Sequence, residues 1–189
     1  MIHVQLVQIR ECKEVNQQKR NKKTLIIFIM GFLLTMFGCE RSDKKKIKNI
    51  FPTESFSVVQ AKPGDNPFIG SFNRAYKNYD NKSKYIWCLK IAIALDLENL
   101  YENGLPNNEE SAIANKLEDE LFAEIKKLAT AHYIGHLFYD TFLDVYIYLS
   151  EPEKVHQYLQ TQINREGLIR GFSYEINQDP KWKIVDGFF

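Results

Sequence analysis

The chain has 189 residues, 25 of them basic and 24 acidic, for a formal net charge of +1. Charge this balanced argues against nucleic acid as a partner, since phosphate binding needs a basic face. An apolar fraction of 44 % is enough for a packed core, and three cysteines are too few for a disulfide framework.

The amino-terminal segment reads as an address. Arg10, Lys13, Lys19, Arg20, Lys22 and Lys23 precede the apolar run Leu25 to Phe37. At about 1.5 Å per helical residue this run covers roughly 20 Å, short of a bilayer core of about 30 Å. It has the length of a signal-peptide centre. Met36-Phe37-Gly38-Cys39 follows with the layout of a lipobox, in which the small Gly38 precedes a cysteine that takes a diacylglycerol. Residues 1–38 are therefore expected to be a lipoprotein signal peptide. Cys39 is then the lipidation site, and residues 39–53 are a flexible tether that holds the rest of the chain to a membrane. The competing reading is a short anchor that is never cleaved. The expected location is the bacterial cell envelope with the folded part outside the cytoplasm, on the periplasmic side in a Gram-negative cell. Without the leader, the remaining 151 residues carry a net charge of about −3. Cys12 leaves with the leader and Cys39 carries lipid. Cys88 is then the one thiol left, and the domain over 54–189 has to be stable without disulfides.

Within that domain, Phe56 to Gln60 predicts a short strand, Lys62 to Pro67 a turn cluster, and Phe72 to Tyr76 a second short strand. From Tyr85 to Leu95 apolar residues alternate as in a strand with one heavily buried face. Gly104-Leu105-Pro106-Asn107 breaks the chain, and Asn107 with Glu110 has the layout of a helix N-cap. Ile113, Leu117, Leu121, Ile125 and Leu128 give the stripe of an amphipathic helix. Two aromatic-rich runs, Ala131 to Tyr139 and Phe142 to Leu149, read as a hairpin about Asp140-Thr141. Ser150-Glu151-Pro152-Glu153 has the pattern of a capping box with proline in the first turn, and Val155, Leu159 and Ile163 follow as a second helical stripe. Gly167 and Gly171 bracket its exit before a final strand over Phe172 to Ile176. From Tyr85 the order is β-α-β-β-α-β. That predicts an α+β fold: a ferredoxin-like antiparallel sheet with two helices on one face, preceded by one or two extra strands.

Tyr79, Tyr85-Ile86-Trp87, Gly104-Leu105-Pro106-Asn107, Leu117-Glu118-Asp119, Tyr174-Glu175-Ile176 and Asp179-Pro180-Lys181-Trp182 together resemble domain of unknown function 695. The resemblance covers roughly 70 to 189. It implies an α+β domain similar to that of small ribonuclease-regulating proteins, and it brings no catalytic residues with it. The envelope address argues against carrying over that cytoplasmic role.

Candidate sites are few. His132 and His136 would suit zinc on a helix, but on a strand they lie roughly 13 Å apart and cannot share an ion, so no metal is expected. Cys88 would need a base and an electropositive pocket to act as a nucleophile, and it reads instead as a small hydrophobe on the less buried strand face. The acidic residues Glu109, Glu110, Glu118, Asp119, Glu120 and Glu124 of the first helix could in principle pair for acid-base hydrolysis, but their spacing puts most of them on the solvated side, and Glu109 and Glu110 favour the helix start through its dipole. No GxSxG, P-loop, HExxH or Rossmann signature is present, so neither enzymatic activity nor a cofactor is expected. Phe142, Asp144, Tyr146 and Tyr148 share the strand face opposite the aliphatic one and form a candidate partner-binding face, unless extra strands or a second layer cover it. A two-residue turn would add Tyr139 and Tyr133 to that face; a three-residue turn would add the histidines. The expected function is a membrane-tethered, protein-binding module, a toxin-neutralising immunity protein being one concrete version. The alternative is an envelope enzyme or small-ligand binder that uses the open sheet face.

Overall fold

Leu89, Ile91 and Ile93 point to one side of their strand and are almost fully buried, as alternation requires. That strand lies in a six-stranded antiparallel sheet in a computed structural model that describes residues 50–62 and 66–189. The strands are β1 (Phe56–Ala61), β2 (Phe68–Asn73), β3 (Trp87–Ala94), β4 (Ala131–Tyr139), β5 (Phe142–Leu149) and β6 (Phe172–Gln178). Their spatial order is β1-β2-β4-β5-β3-β6. Two helices, α1 (Asn108–Leu128) and α2 (Glu153–Gln162), complete an α+β fold. The expected signal peptide, Cys39 and the expected tether as far as residue 49 lie outside the described residues. Among those described, no helix is long and apolar enough to cross a membrane.

One core joins the helices to the sheet. Ala114, Leu117, Leu121 and Ile125 of α1, with Val155 and Leu159 of α2, pack on Leu89, Ile91, Ile93, Leu143, Val145, Ile147 and Leu149. The α1 start is as expected, with Asn107 Oδ1 accepting from Glu110 N–H at 2.9 Å. The α2 start is not. That helix begins at Glu153 with Pro152 at its cap and no side-chain cap bond, so Ser150 forms no capping box. The second strand also differs. β2 ends at Asn73, because Asn73 Oδ1 accepts from Ala75 N–H and turns Arg74–Tyr76 into a short 3-10 segment.

A second core covers the other sheet face. Trp182 and Val185 of the carboxyl-terminal segment, with Tyr76 and Tyr85, pack on Phe72, Cys88, Ile134, Leu137, Tyr146 and Tyr148. Trp182 stacks on Tyr148 with ring centroids 3.9 Å apart and donates from Nε1 to Tyr85 O at 2.8 Å. Asp179 accepts from Tyr148 Oη at 2.6 Å and from Ile184 N–H at 2.8 Å, which closes the segment onto the sheet.

The β4–β5 hairpin has a two-residue turn, with Tyr139 opposite Phe142. Asp140 and Thr141 both have positive φ, 47° and 70°, as in a type I′ turn. Threonine is strained there, so Thr141→Gly is expected to raise the unfolding free energy by about 0.5–1 kcal/mol, read from urea midpoints. Beyond the turn, a bulge between Tyr133 and Gly135 inserts Ile134 as an extra residue. Tyr139 therefore joins the Tyr146 face as a two-residue turn requires, but Tyr133 does not. The bulge sends Tyr133 to the helix side and His132 to the other.

Candidate functional site

The bulge separates the two histidines into different environments. His132 is fully buried among the rings of Tyr76, Tyr79, Tyr85 and Trp182, and its Nδ1 meets Tyr76 Oη at 3.0 Å. Its Nε2 has no partner among the described residues. Burial pushes its pKa down from 6.5 to about 4. The unfolded chain takes up this proton near the ordinary value and the folded chain only near 4. Stability from a neutral His132 is thus complete above about pH 6.5 and lost as pH falls toward 4. The expected loss is about 3 kcal/mol, measured as urea midpoints between pH 7 and pH 4. His132→Phe should flatten that slope.

His136 faces α1. Its Nδ1 lies 2.8 Å from Glu118 Oε2 and 3.2 Å from Tyr133 Oη, which itself donates to Glu118 Oε1 at 2.5 Å. Glu118 is 5 % exposed, so the tyrosine and the histidine are what satisfy a buried carboxylate. Burial and the adjacent Glu118 raise the Tyr133 phenol far above its ordinary value and keep it a neutral donor. With Nδ1 engaged, His136 has Nε2 left for a partner, and the residue lines a cleft of about 490 Å³. The other walls are mostly apolar: Val58, Ile69, Tyr101, Leu105, Pro106 and Phe138. Val58, Ile69 and Tyr101 are among the exposed large hydrophobics of the surface. Ser71 also lines the cleft and sits opposite His136 in the β2–β4 register. Two glycines let these strands approach. A Cβ on Gly135 would meet Ser71 O at 2.2 Å, and one on Gly70 would meet His136 O at 2.3 Å.

A wider hollow of about 530 Å³, between Ile50–Phe51 and the α1–β4 junction, borders the start of the described residues and gathers no polar cluster of this kind.

The residues singled out by sequence are placed differently from expectation. Tyr148 and Tyr146 are 0 % and 6 % exposed under the carboxyl-terminal segment, and Asp144 is 8 % exposed. Phe142 alone remains on the surface, at 40 %. Of the two expectations for the tyrosine face, open or covered, the covered one applies: it is the floor of the second core, because a segment with no apolar periodicity lies across it. Asp144 is held by Lys90 Nζ at 2.8 Å; burial raises its pKa against that pull. Cys88 is not on a less buried face: it is 1 % exposed, and burial raises its thiol to about 12. It is expected to resist a thiol reagent at pH 8 in the native chain and to react only after denaturation, counted by mass spectrometry. Glu110 and Glu118 are buried rather than solvated. Both fall on the α1 stripe with Ala114, Leu117, Leu121 and Ile125, and that position was the available signal. Among the described residues, no group of three His, Cys, Asp or Glu side chains could hold a metal ion.

A family model described as a family of unknown function, DUF695, matches residues 54–188. No curated protein and no solved structure matches the chain.

Proposed function

Because the chain belongs to the DUF695 family, whose description assigns no activity, we propose a role from its own residues: a lipid-anchored, non-enzymatic binding module of the cell envelope that takes a protein partner on the cleft face. The observation that carries this is the cleft itself, an apolar depression of about 490 Å³ with His136 at one wall and exposed Val58, Ile69 and Tyr101 around it. Apolar groups clustered at a concave site, with one oriented polar side chain, suit a partner's buried anchor residue. Glu118 and Tyr133 hold His136 in place before the partner arrives, which lowers the ordering cost of binding. The strand order β4-β5-β3-β6 supports reading the four later strands and two helices as the ferredoxin-like arrangement, with β1 and β2 added beyond β4. The lipobox pattern at Cys39 supports the envelope address, where neutralising an incoming protein toxin is one role that such a module suits.

Two substitutions in the full chain test the parts separately. Cys39→Ser should abolish incorporation of labelled lipid and free the domain from membranes. Ile69→Glu should abolish capture of the partner from detergent-solubilised membranes while leaving the circular-dichroism spectrum unchanged. Capture of nothing above background by the wild-type chain, or equal capture by Ile69→Glu, would overturn the binding role.

One observation favours a second, hydrolytic reading. Ser71 lies opposite His136, whose other nitrogen is held by a buried carboxylate, the order of roles in a serine hydrolase triad. Ser71 Oγ would attack an ester carbonyl, His136 Nε2 would take its proton and pass it to the leaving alcohol, and water would release the acyl group. Labelling by a fluorophosphonate that disappears in Ser71→Ala would establish this reading, and an unlabelled wild-type chain would end it.

A further inference from the structure

The sheet leaves two edges without a strand partner among the described residues, at β1 and at β6. They are not alike. β6 carries Glu175 at its centre, a charge that blunts an edge against pairing. β1 has the sequence Phe-Ser-Val-Val-Gln-Ala with no charge, and its Val58 and Phe56 are 68 % and 46 % exposed. Charges stand just outside it, Glu54 on one side and Lys62 on the other.

The hydrogen-bond parity of β1 is set at its start. Arg74 N–H donates to Ser55 O at 2.8 Å, so Ser55, and with it Ser57 and Val59, direct their backbone groups toward β2. Phe56, Val58 and Gln60 therefore direct theirs to the open edge. Their side chains share one face of the sheet, the face on which Phe56 meets Tyr133 and Val58 lines the cleft.

We propose that two copies of this chain pair through β1, antiparallel about a two-fold axis, with Val58 opposite Val58 of the second copy. An outward residue must face an outward residue, which restricts the register to steps of two. In this register Phe56 faces Gln60 of the second copy, so every outward residue of the strand is paired. Glu54 then faces Lys62 of the second copy, and the symmetry repeats that opposite-charge pair at the other end. A shift of one step either way puts Lys62 opposite Pro52 or Phe56 and loses both charge pairs. The two-fold stands perpendicular to the sheet, so the sheets merge into one and the two clefts come to lie on the same face. This pairing is independent of the identity of any partner in the clefts.

Disulfide trapping in the full chain tests both the contact and its register. Val58→Cys, mildly oxidised in membranes, should give a dimer on a non-reducing gel well above the parent chain, since hydrogen-bonded antiparallel pairs have Cα atoms about 5.5 Å apart. Val59→Cys, whose side chain lies on the opposite face, should give no more than the parent. In the Val58→Cys background, Glu54→Lys or Lys62→Glu alone should reduce the dimer about tenfold, and the two together should restore it. No Val58→Cys dimer above the parent, or equal trapping at positions 58 and 59, would overturn the pairing. Trapping that ignores the charge exchange would overturn the register.

Discussion

Trp182→Ala is expected to lower the unfolding free energy by about 4 kcal/mol, within the range of roughly 3–5 for removing a buried tryptophan. Trp182 is fully buried, and its ring covers Tyr148 in the second core. Its indole N–H satisfies the carbonyl of Tyr85, 97 residues away in sequence. Alanine loses the apolar burial, leaves a cavity and strands that carbonyl. Trp182→Phe should cost about half as much, because a ring still stacks on Tyr148 while the hydrogen bond is lost. Urea unfolding followed by circular dichroism gives both numbers. Hydrogen exchange should also rise across residues 179–189, since Asp179 and Trp182 close that segment onto the sheet. A cost under about 1 kcal/mol would mean that the segment does not cover the tyrosine face.

Arg170→Ala comes next, at about 3 kcal/mol. Glu110 is fully buried at the first turn of α1 and accepts from Arg170 twice, Nε to Oε1 at 2.7 Å and Nη2 to Oε2 at 2.5 Å. Asp96 N–H adds a bond to Oε1 at 3.0 Å. Removing the guanidinium leaves a buried carboxylate with the Asp96 N–H and the Asn99 side chain as its remaining partners, a broken buried pair of the kind that costs about 3–5 kcal/mol. Arg170 keeps 17 % side-chain exposure, so solvent reaches the vacancy and the lower end applies. The Arg170 hydrogen bonds hold the Glu110 carboxyl below its ordinary value, outweighing burial, which pushes it up. A carboxylate lowered in the folded state contributes stability above its unfolded pKa and loses it as pH falls through the folded one. The wild-type chain should therefore lose this increment below the ordinary glutamate range. Arg170→Met should show a shallower acid limb in a series of urea midpoints.

The parts of the fold that were legible in sequence were those with periodicity. Leu89, Ile91 and Ile93 alternate, α1 carries its cap and stripe, and the β4–β5 hairpin declares itself on both sides of Asp140-Thr141. The second core was not legible. Lys181 to Phe189 shows neither helical nor strand period, and Trp182 reaches its place through a left-handed backbone at φ 57° and contacts far along the chain. Without that segment, sequence leaves the face of Tyr146 and Tyr148 open or covered with nothing to decide between them. The bulge at Ile134 has one signal in the sequence, the lone Gly135 inside a strand pattern, and it decides which histidine meets α1. Glu118 and Glu110 carry a signal as well. They occupy apolar-stripe positions, and a carboxylate there signals a buried partner such as His136 or Arg170.

The cleft face, and not the opposite face, is proposed to meet a protein partner. Photo-crosslinking in intact membranes tests it directly, with benzoylphenylalanine at Ile69 in the cleft wall or at Ile184, an exposed apolar residue outside it, in the full chain. One discrete protein adduct is expected from position 69, none of that mass from position 184, and its loss when Leu105→Asp charges the same wall. The same adduct from both positions, or one that survives Leu105→Asp, would contradict it.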